Sequence, residues 1–367
     1  MTPYTFYFSF YGVLLFFTLL FAVKPNILKH EKNFFIVWFC VIVSFSLFLR
    51  FYFLPYLFDT FFDTIKYSDI YGYYALSKGI SYSGIINKIQ FGFSNSSLLY
   101  YTREPVLWGL LKYLYLIFND ERIVFFIIDC LGFSVIFYSF KQLENNSEYN
   151  VKSKIFNLKY LYFGIFLTMP FVFGISSIYR QYLSMILLFA AFAFYYSEKN
   201  KKSLIFYILA VLSHNSAILF FPLYFILKKS YFNFLALASY IVLLPIVLPI
   251  LPTGTSRPEI EVGSLIGFYY VLILFFTLSI CIFLSKDTND RNRLLINNFL
   301  TINLFLLILC SFLISSNLTE RIALYILTIS TPILAVVNER FVKNKIFGRL
   351  TIIIFILTIT VYYDPFY

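Results

Sequence analysis

The chain has 367 residues, of which 60% are hydrophobic and only 13% are charged, and its mean hydropathy is +0.80. Soluble domains are near half apolar and about a quarter charged, so this composition excludes a soluble globular enzyme, a disordered chain and a disulfide scaffold. The net charge of +11 then indicates Lys and Arg in cytoplasmic loops rather than a nucleic-acid partner. We predict an all-α, polytopic membrane protein with about 11–13 transmembrane or re-entrant helices.

The first apolar run, 4–23, has no basic segment before it and no small-residue cleavage site after it, so we expect a retained span rather than a signal peptide. Further apolar runs that could cross the bilayer follow it along the chain. They are 34–54, 123–140, 160–178, 181–196, 230–251, 265–284, 294–314, 322–337 and 347–363. Because we find no internal repeat, we expect a single integral membrane domain over residues 1–367.

Lysine-rich segments between these runs determine the predicted topology. They are 24–33, 141–159, 197–202, 228–229, 285–293 and 338–349. Cytoplasmic loops are enriched in Lys and Arg, so we place these segments inside. The apolar stretches 160–196 and 203–227 then have basic loops at both ends, and each must be a hairpin. The arms of the second are about 12 residues, or roughly 18 Å long, so its tip, 213–215, should lie below the outer surface in a wet cavity.

The largest predicted extramembrane piece is the outer (periplasmic) loop 55–122, between the second and third full spans. Within it, 105–118 has the pattern of a helix that begins at Pro105. Counting this helix as a span would break the alternation of charged loops, so we predict an interfacial or re-entrant helix. The segment 252–264 forms a second outer loop.

Arginine, in contrast to lysine, is concentrated in segments predicted to lie outside. These residues are Arg50, Arg103, Arg122, Arg180, Arg257 and Arg321. Because the guanidinium fork matches pairs of phosphate oxygens, the group favours an anionic ligand such as a lipid diphosphate at the outer leaflet. Salt bridges to outer carboxylates or lipid head groups are the alternative. Arg180 is the strongest candidate, since a charge between two apolar arms is costly, although interfacial snorkelling would also explain it.

His214 is the one histidine in a span-like segment. A neutral imidazole can accept a proton from a hydroxyl at neutral pH, although a lone histidine is as often a hydrogen-bonded core residue. The carboxylates of Glu104, Glu320 and Asp69 are further candidates for this proton transfer, although Asp69 would also be explained as a solvated loop charge. Glu104 and Glu320 also lie near predicted helix N-termini, where they would interact favourably with the dipole. We find no cluster of Cys and His with metal-ligand spacing, and expect neither a metal nor a cofactor.

Five motifs in order resemble the EpsG/Wzy type of bacterial polysaccharide polymerases. They are an Asp-x3-Tyr element (Asp69 to Tyr73, or Asp63 to Tyr67), Arg103-Glu104-Pro105, Tyr179-Arg180-Gln181, the stretch from Leu212 to Ala217, and the stretch from Glu320 to Tyr325. The resemblance covers roughly residues 55–335. The family usually has Gly after Glu-Pro, whereas this chain has Val106.

The resemblance implies a glycosyltransferase of the bacterial cytoplasmic (inner) membrane whose active site faces the periplasm. Such a polymerase transfers a growing glycan from undecaprenyl diphosphate to the next lipid-linked repeat of an O-antigen, capsule or exopolysaccharide. The implied partners are the undecaprenyl-diphosphate-linked oligosaccharide, membrane lipid and a chain-length regulator.

The resemblance also suggests roles for particular residues. Arg180, Arg321, Arg103 and Arg257 would hold the diphosphate; His214, Glu104, Glu320 or Asp69 would accept the hydroxyl proton; Tyr73, Tyr179, Gln181 and Tyr325 would contact the glycan. An O-antigen ligase-like enzyme and a non-enzymatic flippase of lipid-linked oligosaccharides are the alternatives. The early position of the largest outer loop favours the polymerase over the ligase, and a flippase would commonly show repeat-like halves.

Overall fold

The computed structural model describes residues 3–28, 30–53, 105–144, 157–168, 171, 179–197, 199–221, 316–342 and 344–362. Within these ranges all regular structure is helical, which confirms the all-α prediction for this part of the chain. The predicted runs 230–251, 265–284 and 294–314 lie outside the described residues, as do most of the loop 55–122 and all of 252–264.

Nine α-helices are described, and most of them overlap the predicted apolar runs. They are α1 (Pro3–Val23), α2 (Glu31–Phe48), α3 (Pro105–Phe118), α4 (Glu121–Glu144), α5 (Lys159–Gly164), α6 (Tyr179–Tyr196), α7 (Asn200–Ser213), α8 (Ser316–Phe341) and α9 (Lys345–Tyr362). In the described chain, Glu31–Tyr52 and Arg122–Glu144 are long and apolar enough to cross a bilayer, and Ser9–Val23, Gly109–Phe118 and Arg321–Val336 are shorter apolar helices. The described part of the chain is therefore all-helical, with apolar helices consistent with a membrane protein, while the side of each loop stays a prediction.

The predicted span 160–178 is not one continuous helix. It begins as α5, tightens into a 3-10 turn over Ile165–Leu167, and becomes extended at Thr168, with φ −75° and ψ 144°. Pro170 follows two residues later, and a proline has no backbone N–H with which to continue a helix. The break is deeply buried, with Leu167 0% and Thr168 4% exposed, so protein surrounds the broken backbone as it must at membrane depth.

The predicted break at 213–215 is present in the structure. Helix α7 ends at Ser213, His214 is extended with φ −158° and ψ 122°, and a 3-10 helix runs over Asn215–Phe220. The hydroxyl of Tyr207 donates a hydrogen bond to the carbonyl oxygen of Ile218 at 3.0 Å, so the chain folds back against α7 after the break.

The termini of the described helices lie at two opposite ends of the structure. At the first end, α6 turns into α7, α4 finishes, and α2 and α9 begin. Contacts between polar residues mark this end, and we call it the lysine end: Lys141 with Glu31, Lys199 with Gln142, and Arg349 with Glu339. Helices α6 and α8 run parallel, since Gln181 contacts Arg321 and Met185 contacts Thr328 further along both helices. Their N-termini and the C-terminus of α7 form the opposite end, which we call the site end.

Candidate functional site

Three of the predicted motifs meet at the site end. Tyr179-Arg180-Gln181 forms the first turn of α6, His214 lies in the break after α7, and Arg321 lies in the second turn of α8. They meet because α6 and α7 form an antiparallel hairpin while α8 packs parallel to α6. The N-termini of α6 and α8 therefore lie together here with the C-terminus of α7.

Gln181 joins α6 to α8. Its side-chain Nε2 donates a hydrogen bond to the backbone carbonyl of Arg321 at 2.7 Å, and the residue is 2% exposed. A carbonyl oxygen can only accept, so this contact fixes the orientation of the amide. The Gln181 Oε1 is buried and has no hydrogen-bond partner among the described residues. A buried acceptor without a donor is costly, and a ligand hydroxyl would satisfy it.

His214 is almost completely buried, at 4% exposure. Its Nδ1 accepts a hydrogen bond from the backbone N–H of Ser216 at 3.4 Å, which caps the 3-10 helix that follows. A neutral imidazole that accepts at Nδ1 carries its proton on Nε2. This contact therefore favours a histidine that donates from Nε2.

Two positive charges act on this histidine. The guanidinium groups of Arg180 and Arg321 both interact electrostatically with the His214 imidazole, and both arginines are half-buried. On the other side, the ring of Tyr325 lies 6.5 Å from the His214 ring and 5.2 Å from the Phe220 ring, measured between centroids. The arrangement is a buried imidazole at the same end of the helices as two half-buried arginines, and the two guanidinium groups suit a negatively charged ligand.

The other predicted site residues are placed as follows. Asp69, Tyr73, Arg103, Glu104 and Arg257 lie outside the described residues. Glu320 belongs to α8 and directly precedes Arg321, but the structure describes only its backbone. Tyr179 and Tyr325 are both 0% exposed, so any contact of theirs with a glycan remains a prediction.

Two of the arginines predicted to lie outside form ion pairs, as the salt-bridge alternative for this group expects. Arg122 pairs with Asp120 at 2.8 Å on the surface. Arg50 pairs with Asp129 at 2.8 Å, and both side chains are 0% exposed. We did not single out Asp129 from the sequence. A lone carboxylate inside the apolar run 123–140 was the available signal, since such residues are functional candidates by default.

The comparisons with known proteins agree with these motifs. A profile of the EpsG family matches residues 88–367, a range that includes Arg180, His214 and Arg321. No curated protein and no solved structure matches the chain. Because the profile covers well over half of the sequence, the chain belongs to the EpsG family, a family of Wzy-type polysaccharide polymerases.

Proposed function

We propose that this protein polymerises lipid-linked oligosaccharide repeats at the outer face of the bacterial cytoplasmic membrane. The growing glycan is transferred from undecaprenyl diphosphate to a hydroxyl of the next undecaprenyl-diphosphate-linked repeat. The observation that carries this proposal is that α6 and α8 meet at the site end through the Gln181–Arg321 contact, where the buried His214 lies beside Tyr325 of α8. Membership of the EpsG family supports the same reaction class.

The reaction makes one bond and breaks another. The acceptor hydroxyl oxygen bonds to the anomeric carbon of the donor glycan, and the bond from that carbon to the lipid diphosphate breaks. The departing diphosphate takes the bonding electrons and gains negative charge, which preorganised positive groups stabilise. In our proposal Arg180 and Arg321 hold this diphosphate, with Arg103 and Arg257 as further contributors.

The acceptor hydroxyl must also lose its proton. Because the Nδ1 of His214 already accepts from Ser216, we assign His214 as a donor to the diphosphate oxygens, and assign the base to Glu320, Glu104 or Asp69. The buried Oε1 of Gln181 accepts a hydrogen bond from a glycan hydroxyl. No step in this scheme needs a metal or a redox cofactor.

The first test is deletion of the gene in its host. If the surface glycan is an O-antigen, we expect lipid A-core that carries a single repeat unit, because flipping and ligation still operate. Core without any repeat would contradict polymerisation. Polymer that accumulates on the lipid carrier would then indicate the ligase-like alternative, and its absence would indicate the flippase.

The second test complements the deletion with variants at equal protein level. Arg180→Ala should lose the polymer, because it removes one of the two positive charges proposed to hold the diphosphate at the site end. Arg122→Ala is the matched control, since it removes an arginine from the same end of the helices that pairs with Asp120 on the surface. Full polymer in the Arg180→Ala strain would remove Arg180 from the site.

A further inference from the structure

Asp129 is the centre of a buried polar cluster below the site. Its Oδ2 accepts hydrogen bonds from Ser46 Oγ at 2.7 Å and from Arg50 Nε at 2.8 Å. Its Oδ1 accepts from Arg50 Nη2 at 2.9 Å and from the Tyr179 hydroxyl at 2.8 Å. Ser46, Arg50, Asp129 and Tyr179 are all 0% exposed. The cluster therefore joins α2, α4 and α6 in the interior of the protein.

Aromatic rings enclose the guanidinium group of Arg50. Its Cζ lies 5.2 Å from the centroid of the Phe125 ring and 5.0 Å from that of the Tyr179 ring. Arg50 belongs to a π-helical turn, Leu49–Phe53, that follows α2. Turns of this kind occur often at functional sites, because the extra residue redirects a side chain.

Stability alone does not account for such a cluster. Burying both charges carries a desolvation penalty, and apolar residues of similar volume are often neutral or stabilising in their place. The distinctive effect of the pair is geometric, since a bidentate guanidinium–carboxylate contact fixes both distance and direction. The group held in this way is Tyr179, which directly precedes Arg180 and Gln181 in the first turn of α6.

We infer that the Arg50–Asp129 pair positions the site by holding the Tyr179 hydroxyl. This contact fixes the first turn of α6. The first turn in turn sets where Arg180 and Gln181 lie relative to α8 and His214. The inference rests on the proposed function, and it assigns Tyr179 a positioning role instead of a glycan contact. Asp129, Arg50 and Tyr179 act through their neighbours and do not touch the substrate.

The protein contains a matched control at the lysine end. Arg349 forms a second buried bidentate pair, with Glu339, through Nε at 2.6 Å and Nη2 at 2.9 Å. These side chains are 7% and 6% exposed. Glu339 lies about 27 Å further along the axis of α8 than Arg321. Neutralising Glu339 therefore removes the same kind of contact far from the site.

The experiment compares Asp129→Asn with Glu339→Gln in polymerisation assays with lipid-linked repeats, normalised to folded protein. Both variants should lower the unfolding temperature. Only Asp129→Asn should lower the maximal rate per folded molecule, by about tenfold or more, as small displacements of catalytic groups do. Glu339→Gln should keep the rate within about twofold. Equal rates for the two variants would overturn the inference.

Tyr179→Phe covers the case in which Asp129→Asn does not fold. It keeps the ring against Phe125 and Arg50 and removes only the hydroxyl that donates to Asp129. We expect a reduced maximal rate with an unchanged KM for the acceptor repeat. A rate equal to that of the unmodified protein would contradict the positioning role.

A double-mutant cycle separates this inference from the proposed function. The effect of Tyr179→Phe should shrink when Arg180 is already Lys, because both changes act on the same turn, whereas Glu339→Gln and Arg180→Lys should combine independently. If Arg180→Ala keeps full activity, the proposed site is wrong. If Arg180→Ala loses polymer while the Tyr179 and Asp129 variants keep their rate, only the positioning inference is wrong.

Discussion

The imidazole of His214 caps the 3-10 helix through Nδ1. The structural role of His214 as a cap can therefore be tested separately from its proposed chemical role. Asparagine is a good capping residue and can offer its amide oxygen to the Ser216 N–H. We expect His214→Asn to stay within about 1 kcal/mol of the parent in unfolding free energy and to lose most polymerisation. Activity and melting temperature in detergent measure the two effects.

His214→Ala provides the comparison, because it removes the cap together with the ring. It should lower both activity and stability, with a stability loss of about 0.5–2 kcal/mol. If His214→Asn kept the activity of the parent protein, the histidine would act only as a cap.

The sequence identified Arg180 as a charge between two apolar arms and His214 as a histidine inside an apolar stretch. Gln181 and Arg321 belong to motifs that resemble the family. It could not show their mutual distances, which depend on how α6, α7 and α8 pack. Nor could it pair Arg50 with Asp129, because 79 positions separate them and several outer carboxylates were equally good partners for any outer arginine. Only the packing of α2 on α4 distinguishes them.

At the scale of elements, the connection between α3 and α4 is a tight polar corner. Asn119 has a positive φ of 49°, which Asn tolerates better than most residues. Asp120 then caps α4, since its Oδ1 accepts from the backbone N–H of Arg122 at 2.9 Å. Its side chain also accepts from the Arg122 guanidinium, and this contact lowers the pKa of Asp120 below its ordinary 3.8.

The corner leads to a pH-dependent prediction. Because the pKa of Asp120 is lowered, its carboxylate stabilises the folded protein above the unfolded pKa and loses this contribution as the pH falls through the folded value. Asp120→Asn keeps the cap and removes the charge. We expect it to melt below the parent at about pH 7 and to converge with it towards about pH 3. The gap should stay under about 1 kcal/mol, since the pair is exposed, and a gap that widens in acid would contradict this assignment.

Helix α9 packs on α8 where a glycine meets a buried amide. A Cβ built on Gly348 would lie 1.5 Å from the Oδ1 of Asn338 and 2.5 Å from its Cγ. Gly348→Ala should therefore lower the unfolding free energy by about 1–3 kcal/mol through overpacking. Asn338→Ala in the same chain should recover most of this loss.

Gly12 in α1 is the matched control, because nothing lies within 4 Å of its Cβ position. Gly12→Ala should raise stability by about 0.5–1 kcal/mol, as alanine does in a helix. Thermal unfolding in detergent measures both substitutions. Equal effects of the two would show that α8 and α9 do not approach closely at Gly348.

Hydropathy was sufficient to find most of the described helices, and their ends were harder to predict. The predicted span 322–337 extends in the structure to Ser316–Phe341 and includes Pro332. The predicted loop 338–349 is therefore partly helical, because tertiary contacts bury its polar residues. Glu339 is 8% exposed and pairs with Arg349, and a pattern based on hydrophobicity cannot anticipate such a pair.

At the scale of the whole molecule, the described helices are polarised between their two ends. Large apolar side chains such as Phe16, Ile36 and Ile354 are exposed along the helices, at 59%, 51% and 62%. Apolar surface of this extent is typical of contact with lipid. The lysine end carries Lys141, Lys199 and Lys345 in polar contacts, while Arg180 and Arg321 lie at the site end. The positive-inside rule therefore predicts a cytoplasmic lysine end and an external site.

Cysteine labelling tests this orientation directly. In a chain whose four cysteines are replaced by serine, Lys201→Cys at the start of α7 and Arg122→Cys at the start of α4 would each present one exposed thiol, at opposite ends. A membrane-impermeant maleimide should label Arg122→Cys in intact spheroplasts and should label Lys201→Cys only after lysis. The reverse pattern would place His214 and both arginines on the cytoplasmic side. A diphosphate-linked glycan already flipped to the outer leaflet could not reach a site so oriented, so this outcome would contradict the proposed polymerase.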